Sequence, residues 1–269
     1  VTQAFAWTPL APLGAEVHLD LSMPLSAGQE AGLVSLMHER GLILARGQSL
    51  SMDRQRTLCA LFGPILLREG ETGYMTNEGG GPAASGYSFH SDAAYTPNPF
   101  DALSLHALDV AAEASSTRFV SAETGLAALP ADLRDLLEYC EQEMISPDYT
   151  QLSGRSCDQR DPEALRRAVM PAVFTNPHNH RPAAWVSEMQ TARFLGMEWQ
   201  ESRDTLHRIY DHLYAPERVF EHRWRNGDLL IWDNIALQHA RGNLENVGKR
   251  LLQRVIVGVA GVAPHIPLV

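Results

Sequence analysis

The sequence predicts an α+β protein that is mainly β, a sandwich or barrel of strands carrying flanking helices. Three observations predict it. Helical periodicity is confined to the early part of the chain and to connecting stretches, while strand composition dominates the centre and the end. The composition, 45% apolar and 20% charged, is ordinary for a globular chain. No internal repeat or dividing linker is visible, so residues 1–269 are expected to form a single domain.

After an extended start, "SAGQEAGLVSLMHERG" reads as a helix. Ser26 and Gln29 have capping-box spacing, Leu33, Leu36 and Met37 make the apolar stripe, and Gly41 ends it. "LILAR" follows as a buried strand. "SMDRQRTLCALFG" is a second helix closed by glycine, and "PILL" is a further strand candidate. Residues 71–86 are polar and Gly-rich and read as a loop. "ALSLHALDV" has strand composition, and "LPADLRDLLEYCEQ" reads as a helix from Pro130 with Leu133, Leu136, Leu137 and Cys140 inward. The polar stretch 146–167 is long for a structureless connection and is expected to be a lid. "ESRDTLHRIYDHLYAP" is a helix with Leu206, Ile209, Tyr210 and Leu213 on one side. The end, "EHRWRNGDLLIWD" and "RLLQRVIVGVAG", is strand-rich with an Asn226-Gly227 turn signal.

A formal charge of −10 argues against a general nucleic-acid surface, because phosphate binding needs clustered Lys and Arg. It leaves room for a local cationic pocket that binds a small anion. Cys59, Cys140 and Cys157 are odd in number and show no paired spacing, so they read as reduced thiols. There is no signal-peptide pattern and no apolar run of membrane-spanning length. A cytoplasmic protein without membrane or nucleic-acid partners is expected, and a homo-oligomer is compatible with it.

The chemistry centres on "GYSFHSDAAYTPNPF". On a strand, residues i and i+2 share a face, so His90 and Asp92 would both project inward. His239, after the buried "LLIWDN", offers a third ligand. Two histidines and a carboxylate on one face leave three open positions on Fe(II), enough for a bidentate co-substrate and oxygen. A His-x-Asp alone is common in structural roles, and eleven histidines always supply a third candidate. Near the end, Arg250, Leu252, Arg254 and Ile256 share one strand face. A guanidinium fork matches a carboxylate bidentately, though paired arginines also suit an exposed edge strand.

The blocks "LGAEVHLDLSMPLS", "ILARGQSLSMDRQRTLCALFGPI", "FHSDAAYTPNPFDALSLHALDV", "HRWRNGDLLIWDNIALQHARGN" and "KRLLQRVIVG" cover nearly the whole chain. Together they resemble the taurine dioxygenase/2,4-dichlorophenoxyacetate dioxygenase family of Fe(II)- and 2-oxoglutarate-dependent oxygenases. The resemblance implies a double-stranded β-helix (jelly-roll) core, with Fe(II), 2-oxoglutarate and O2 as cofactor and co-substrates. It implies that His90, Asp92 and His239 bind iron. It further implies that Thr117, here in Ser-Ser-Thr rather than the family's usual Gly-Asp-Thr, and Arg250 hold the distal carboxylate of 2-oxoglutarate. Arg254 would meet the anionic end of a small organic acid substrate, beside Tyr95. Arg68 stands where taurine-type members have a histidine, which makes taurine a doubtful substrate; it could face the pocket or solvent.

Asp92 is a carboxylate where halogenating relatives carry a small residue, so halogenation is disfavoured. Hydroxylation is the expected outcome. Desaturation or another oxidation at the same iron stays open, as does a catalytically silent small-acid-binding relative; a zinc hydrolase would explain neither Thr117 nor the arginine pair. His178 and His180 in "TNPHNHRP" read as a turn and His207 and His212 as solvated, with a structural role for Glu188. Trp232, Asp233 and Asn234 read as scaffolding for the loop that presents His239, while Arg241 could lie near the iron.

Overall fold

The computed structural model describes residues 4–67, 73–78, 86–145 and 167–258, with Arg167 described by its backbone alone. In chain order these residues form β1 (Trp7–Pro9), β2 (Ala15–Val17), α1 (Ala27–Arg40), β3 (Leu42–Ala45), α2 (Met52–Cys59), β4 (Tyr74–Thr76), β5 (Tyr87–His90), β6 (Ala102–Val110) and β7 (Ser116–Ser121). Then come α3 (Ala122–Ala127), α4 (Ala131–Tyr139), β8 (Glu141–Ile145), β9 (Arg167–Pro171), β10 (Val173–Thr175), β11 (Pro182–Ala184) and β12 (Thr191–Phe194). The chain closes with α5 (Trp199–Leu213), β13 (Phe220–Arg223), β14 (Leu229–Asp233), β15 (Leu237–Arg241) and β16 (Arg250–Val257). The expected lid, 146–167, falls outside the described residues except for Arg167, and Arg68 and Cys157 lie outside them too.

Local chemistry explains the helices. In α1 the Ser26 hydroxyl accepts from the Gln29 N–H, and the Gln29 side chain accepts from the Ser26 N–H at 2.9 Å, so two orphan donors are satisfied. Gly41 adopts φ 73° and its N–H donates to the Met37 carbonyl, ending the helix. The second helix stops at Cys59 and tightens into a 3-10 turn, Ala60–Phe62, before Gly63. In α5, Leu206, Ile209, Tyr210 and Leu213 form the buried face.

Among the described residues, one sheet runs in the order β1-β2-β3-β14-β6-β16-β4 and another in the order β13-β7-β15-β5. A single apolar core joins them. It takes Leu42, Leu44, Leu103, Leu105, Leu230, Leu252 and Ile256 from the first and Phe119 and Leu237 from the second. The other face of the first sheet, with Ile43, Ile231, Val255 and Val257, packs under α1 and α2. This alternation puts Leu252 and Ile256, four apart on β16, inside and Val255 and Val257, two apart, under the helices. A buried amide network locks α2 to the sheet: Gln253 donates to Gln55, and Gln55 donates to the Ser104 hydroxyl. Where β6 pairs with β16, Leu252 faces Ala107 and Leu251 faces Asp109; Leu108 is bulged out, so Ala107 and Val110 both stay in the core.

Several elements depart from the sequence expectation. "PILL" makes only a bridge from Ile65 to Val257. The edge of β16 is taken instead by β4, a three-residue strand inside the stretch expected to be a loop. Neither β7 nor α3 was expected; Ser121 ends one and caps the other by accepting from the Thr124 N–H. The Asn226-Gly227 turn does not fold a hairpin but carries the chain from one sheet to the other. Gly227 sits there at φ 82°, and a Cβ would lie 3.1 Å from the Gln48 carbonyl oxygen. Among the described residues no helix is long and apolar enough to cross a membrane. Cys59 is a buried free thiol, pushed up to about 12 by burial and therefore inert, and Cys140 is also free.

Candidate metal and anion site

His90 is the last residue of β5, and His239 is its direct partner on β15. Asp92 lies beyond the strand, which corrects the expectation that His90 and Asp92 project from one strand as i and i+2. The chain turns at Ser91, and Ala93 adopts φ 60°, an uncommon conformation for a residue with a Cβ. Asn234 fixes the turn. Its carbonyl oxygen accepts from the Asp92 N–H at 2.8 Å, and its amide donates to the Asp92 and Phe100 carbonyls, each at 2.9 Å. Asp233 in turn accepts from the Ile235 and Ala236 N–H groups, shaping the turn that leads into β15.

The result is convergence. The Asp92 Oδ1 lies 3.2 Å from His90 Nε2 and 3.8 Å from His239 Nε2. One ligand atom from each of the three residues lies within 4.8 Å of the others. His90 Nδ1 sits 2.8 Å from the Ser88 carbonyl oxygen; an N–H there donates to it and leaves the Nε2 lone pair free for a metal. His239 is oriented by packing instead, its ring between the edge of Trp232 at 5.1 Å and Phe119 at 6.3 Å. Burial alone would raise the Asp92 carboxyl. The hydrogen bond with His90 and the neighbouring charges of His239, His90 and Arg254 outweigh it and hold the group well below the usual carboxylate range. Two imidazole nitrogens and an ionised carboxylate suit a borderline divalent ion such as Fe(II), so the residues present fit the iron expected from the sequence.

Burial, then the neighbouring His90, pushes His239 down to about 3, against the pull of Asp92. The unfolded chain takes up a proton at this imidazole below about pH 6.5 while the folded chain does not. Stability is therefore lost as pH falls from about 6.5 toward 3, at up to about 1.4 kcal/mol per unit. His106 and His222, also lowered by burial, add with the same sign. In chelator-treated protein the urea midpoint should drop between about pH 6.5 and 4.5, and His239→Gln should flatten that slope relative to the parent. Parallel slopes would remove the assignment.

The second half of the site is a buried cation. Arg250, the first residue of β16, is 2% exposed, and its Nε has no hydrogen-bond partner. Among the described residues no carboxylate lies within ion-pair distance of it. Burial, then the charge of Arg241, pushes it down to about 9. Thr117 on β7 is buried as well, and its hydroxyl oxygen accepts from Trp224 Nε1 at 3.0 Å, leaving the hydroxyl proton to give elsewhere. Arg254 is half-buried, and its charge is felt at both Asp92 and His239. Tyr95 is half-buried against Ala94, Met144, Trp185 and Ile235, just past the metal-ligand turn.

Residues set aside on sequence grounds also have clear places. His178 sits in the turn between β10 and β11, 3.2 Å from Asp101. His207 and His212 are exposed. The sequence reading missed that Asn234 grips the Asp92 main chain rather than only the approach to His239. An amide next to "WD" was the available signal, but its target is 142 positions away.

A profile described as "Taurine catabolism dioxygenase TauD, TfdA family" matches residues 6–256. The chain belongs to this family. The TauD/TfdA assignment extends to individual relatives. The chain is 26% identical over 274 residues to the alpha-ketoglutarate-dependent 2,4-dichlorophenoxyacetate dioxygenase of Cupriavidus pinatubonensis, covering 91% of this chain and 94% of that protein. It is 27% identical over 103 residues to pentalenolactone F synthase of Streptomyces arenae, a match spanning 38% of this chain and 34% of the synthase. Among solved structures, AAD-2 in complex with Mn(II) and N-oxalylglycine superposes with a TM-score of 0.78 at 22% identity, over 94% of this chain and 97% of that one. This likeness concerns the fold.

Proposed function

We infer that the chain is an Fe(II)- and 2-oxoglutarate-dependent oxygenase that hydroxylates a small organic acid, releasing succinate and CO2 from the co-substrate. One observation carries the reading: a three-ligand cluster, His90, Asp92 and His239, lies beside Arg241, whose charge is felt both at His239 and at Arg250, a buried guanidinium that no carboxylate among the described residues neutralises. A metal and a dianion are what such a pair calls for. The two facing sheets are read as the double-stranded β-helix of the family, and the chain as one catalytic domain.

His90, Asp92 and His239 would hold the iron, which supplies activation of O2 and the oxidation itself when bound. Arg250 fixes the distal carboxylate of 2-oxoglutarate by its planar fork, and Thr117 gives that carboxylate its hydroxyl proton. Arg254 and Tyr95 face the substrate, with Arg254 supplying charge for its anionic end; Arg68 is a further candidate for that role. Trp232 and Phe119 exclude water behind His239. A second reading, an oxidative outcome other than hydroxylation at the same centre, is favoured by the relative named as a synthase.

The test is anaerobic addition of Fe(II) and 2-oxoglutarate, for which a weak visible charge-transfer band is expected. Succinate release is then followed across sulfonates, aryloxy acids and amino-acid-derived acids. A protein that retains no iron and shows no band would not be an oxygenase of this kind.

A further inference from the structure

We propose that Arg241 is a second cation for the far carboxylate of the bound 2-oxo acid, held in place by the ring of Tyr87. The proposal rests on the co-substrate reading given above. Against β7, β15 is regular: Arg241 stands opposite Thr117, and His239 opposite Phe119. Residues two apart share a face, so Arg241 points to the same side of the sheet as the metal ligand His239. The irregularity falls on β5, where His90 faces His239 but Tyr87, three residues earlier, faces Arg241. One row across the sheet therefore reads Thr117, Arg241, Tyr87.

Arg241 is 7% exposed, and its guanidinium carbon lies 4.2 Å from the centre of the Tyr87 ring. The negative face of that ring offsets part of the cost of burying the cation. The same ring meets His90 edge-on, with centroids 6.1 Å apart. Tyr87 thus spaces the cation from the metal ligand. From the other sheet, Arg250 comes close enough for its own charge to be destabilised by Arg241. Two buried guanidiniums and a hydroxyl donor, placed on facing sheets, surround a site for one anion.

The stoichiometry of lone pairs agrees. A carboxylate offers about four acceptor positions. The fork of Arg250 uses two and Thr117 one, which leaves one for Arg241. A monocarboxylic 2-oxo acid would leave all these donors unanswered. Arg241 therefore acts as a specificity-determining residue, selecting 2-oxoglutarate over 2-oxo acids that end in a methyl group.

The experiment measures dissociation constants by calorimetry on Mn(II)-loaded protein without oxygen. Two ligands are compared: 2-oxoglutarate, and 2-oxopentanoate, which has the same carbon chain with a methyl in place of the far carboxylate. Arg241→Met is expected to weaken 2-oxoglutarate about tenfold or more and 2-oxopentanoate less than about twofold. Arg241→Lys keeps the charge without the planar fork and should show a smaller loss with the same selectivity; it also answers the question if the methionine variant does not fold. Tyr87→Leu should likewise weaken 2-oxoglutarate alone. Equal weakening of both ligands, or unchanged binding of 2-oxoglutarate, overturns the proposal. A parent protein that binds the two ligands alike overturns the co-substrate reading itself, and the role of Arg241 with it.

Discussion

An Arg250→Met protein is expected to unfold at a higher temperature than its parent and to bind 2-oxoglutarate at least about a hundredfold more weakly. The two effects have one cause. Arg250 is 2% exposed, its guanidinium is pushed down to about 9 by burial and by Arg241, and among the described residues its Nε has no partner and no carboxylate neutralises its charge. Methionine fills a similar volume without that charge. Replacing unsolvated buried charge by a packed apolar side chain is worth on the order of 1–4 kcal/mol of stability. On the proposed reading the same substitution would also remove the charge-assisted fork to the distal carboxylate, at about 1.5–3 kcal/mol per hydrogen bond. Thermal unfolding without ligand, together with calorimetry on the Mn(II)-loaded protein, separates the two. A variant that melts earlier and binds normally would make Arg250 a structural strut.

Asn234→Ala is expected to cost roughly 3 kcal/mol of stability and to weaken iron binding about 10- to 100-fold, although Asn234 is not proposed to touch the metal. Its amide makes three hydrogen bonds, part-buried ones from the Asp92 N–H and to the Asp92 carbonyl and a buried one to the Phe100 carbonyl. Each contributes about 1 kcal/mol net. Without them the turn at Asp92 loses the brace that holds Ala93 at φ 60°, and the carboxylate is no longer fixed beside His90. Urea unfolding and an iron titration read the two effects. Lost stability with unchanged iron affinity would mean that Asp92 finds its position without help.

What was legible in the sequence had local causes. Ser26, Gln29 and Gly41 announce α1 because caps act within one turn of chain. Leu252 and Ile256 could be placed on one face of β16 and Val255 on the other because strand alternation is a period of two. The set His90, Asp92 and His239 came from the family resemblance rather than from local pattern, and the structure brings their ligand atoms together. The missed features depend on register between distant strands. The irregularity on β5 that sets Tyr87 beside Arg241, and the bulge at Leu108 that keeps Val110 in the core with Ala107, have no signature in the neighbouring residues. The strand β4 is too short to leave an alternating pattern, and it exists because β16 offers it an edge. Trp224 carried no signal of its own in the sequence, and its indole N–H reaches Thr117 across 107 positions.

That indole has a chemical consequence. With Trp224 donating to the Thr117 oxygen, the hydroxyl proton is left to point at the ligand, and Arg250 offers only protons from the other side. With Thr117 and Arg250 in their proposed roles, the far end of the co-substrate would be met by donors alone. A primary amide of the same shape would set its NH2 against one of them in either orientation, while a carboxylate satisfies all. On the proposed co-substrate reading the site would sort the acid derived from glutamate from the amide derived from glutamine, two molecules nearly identical in size, with the direction of one hydroxyl set by an indole.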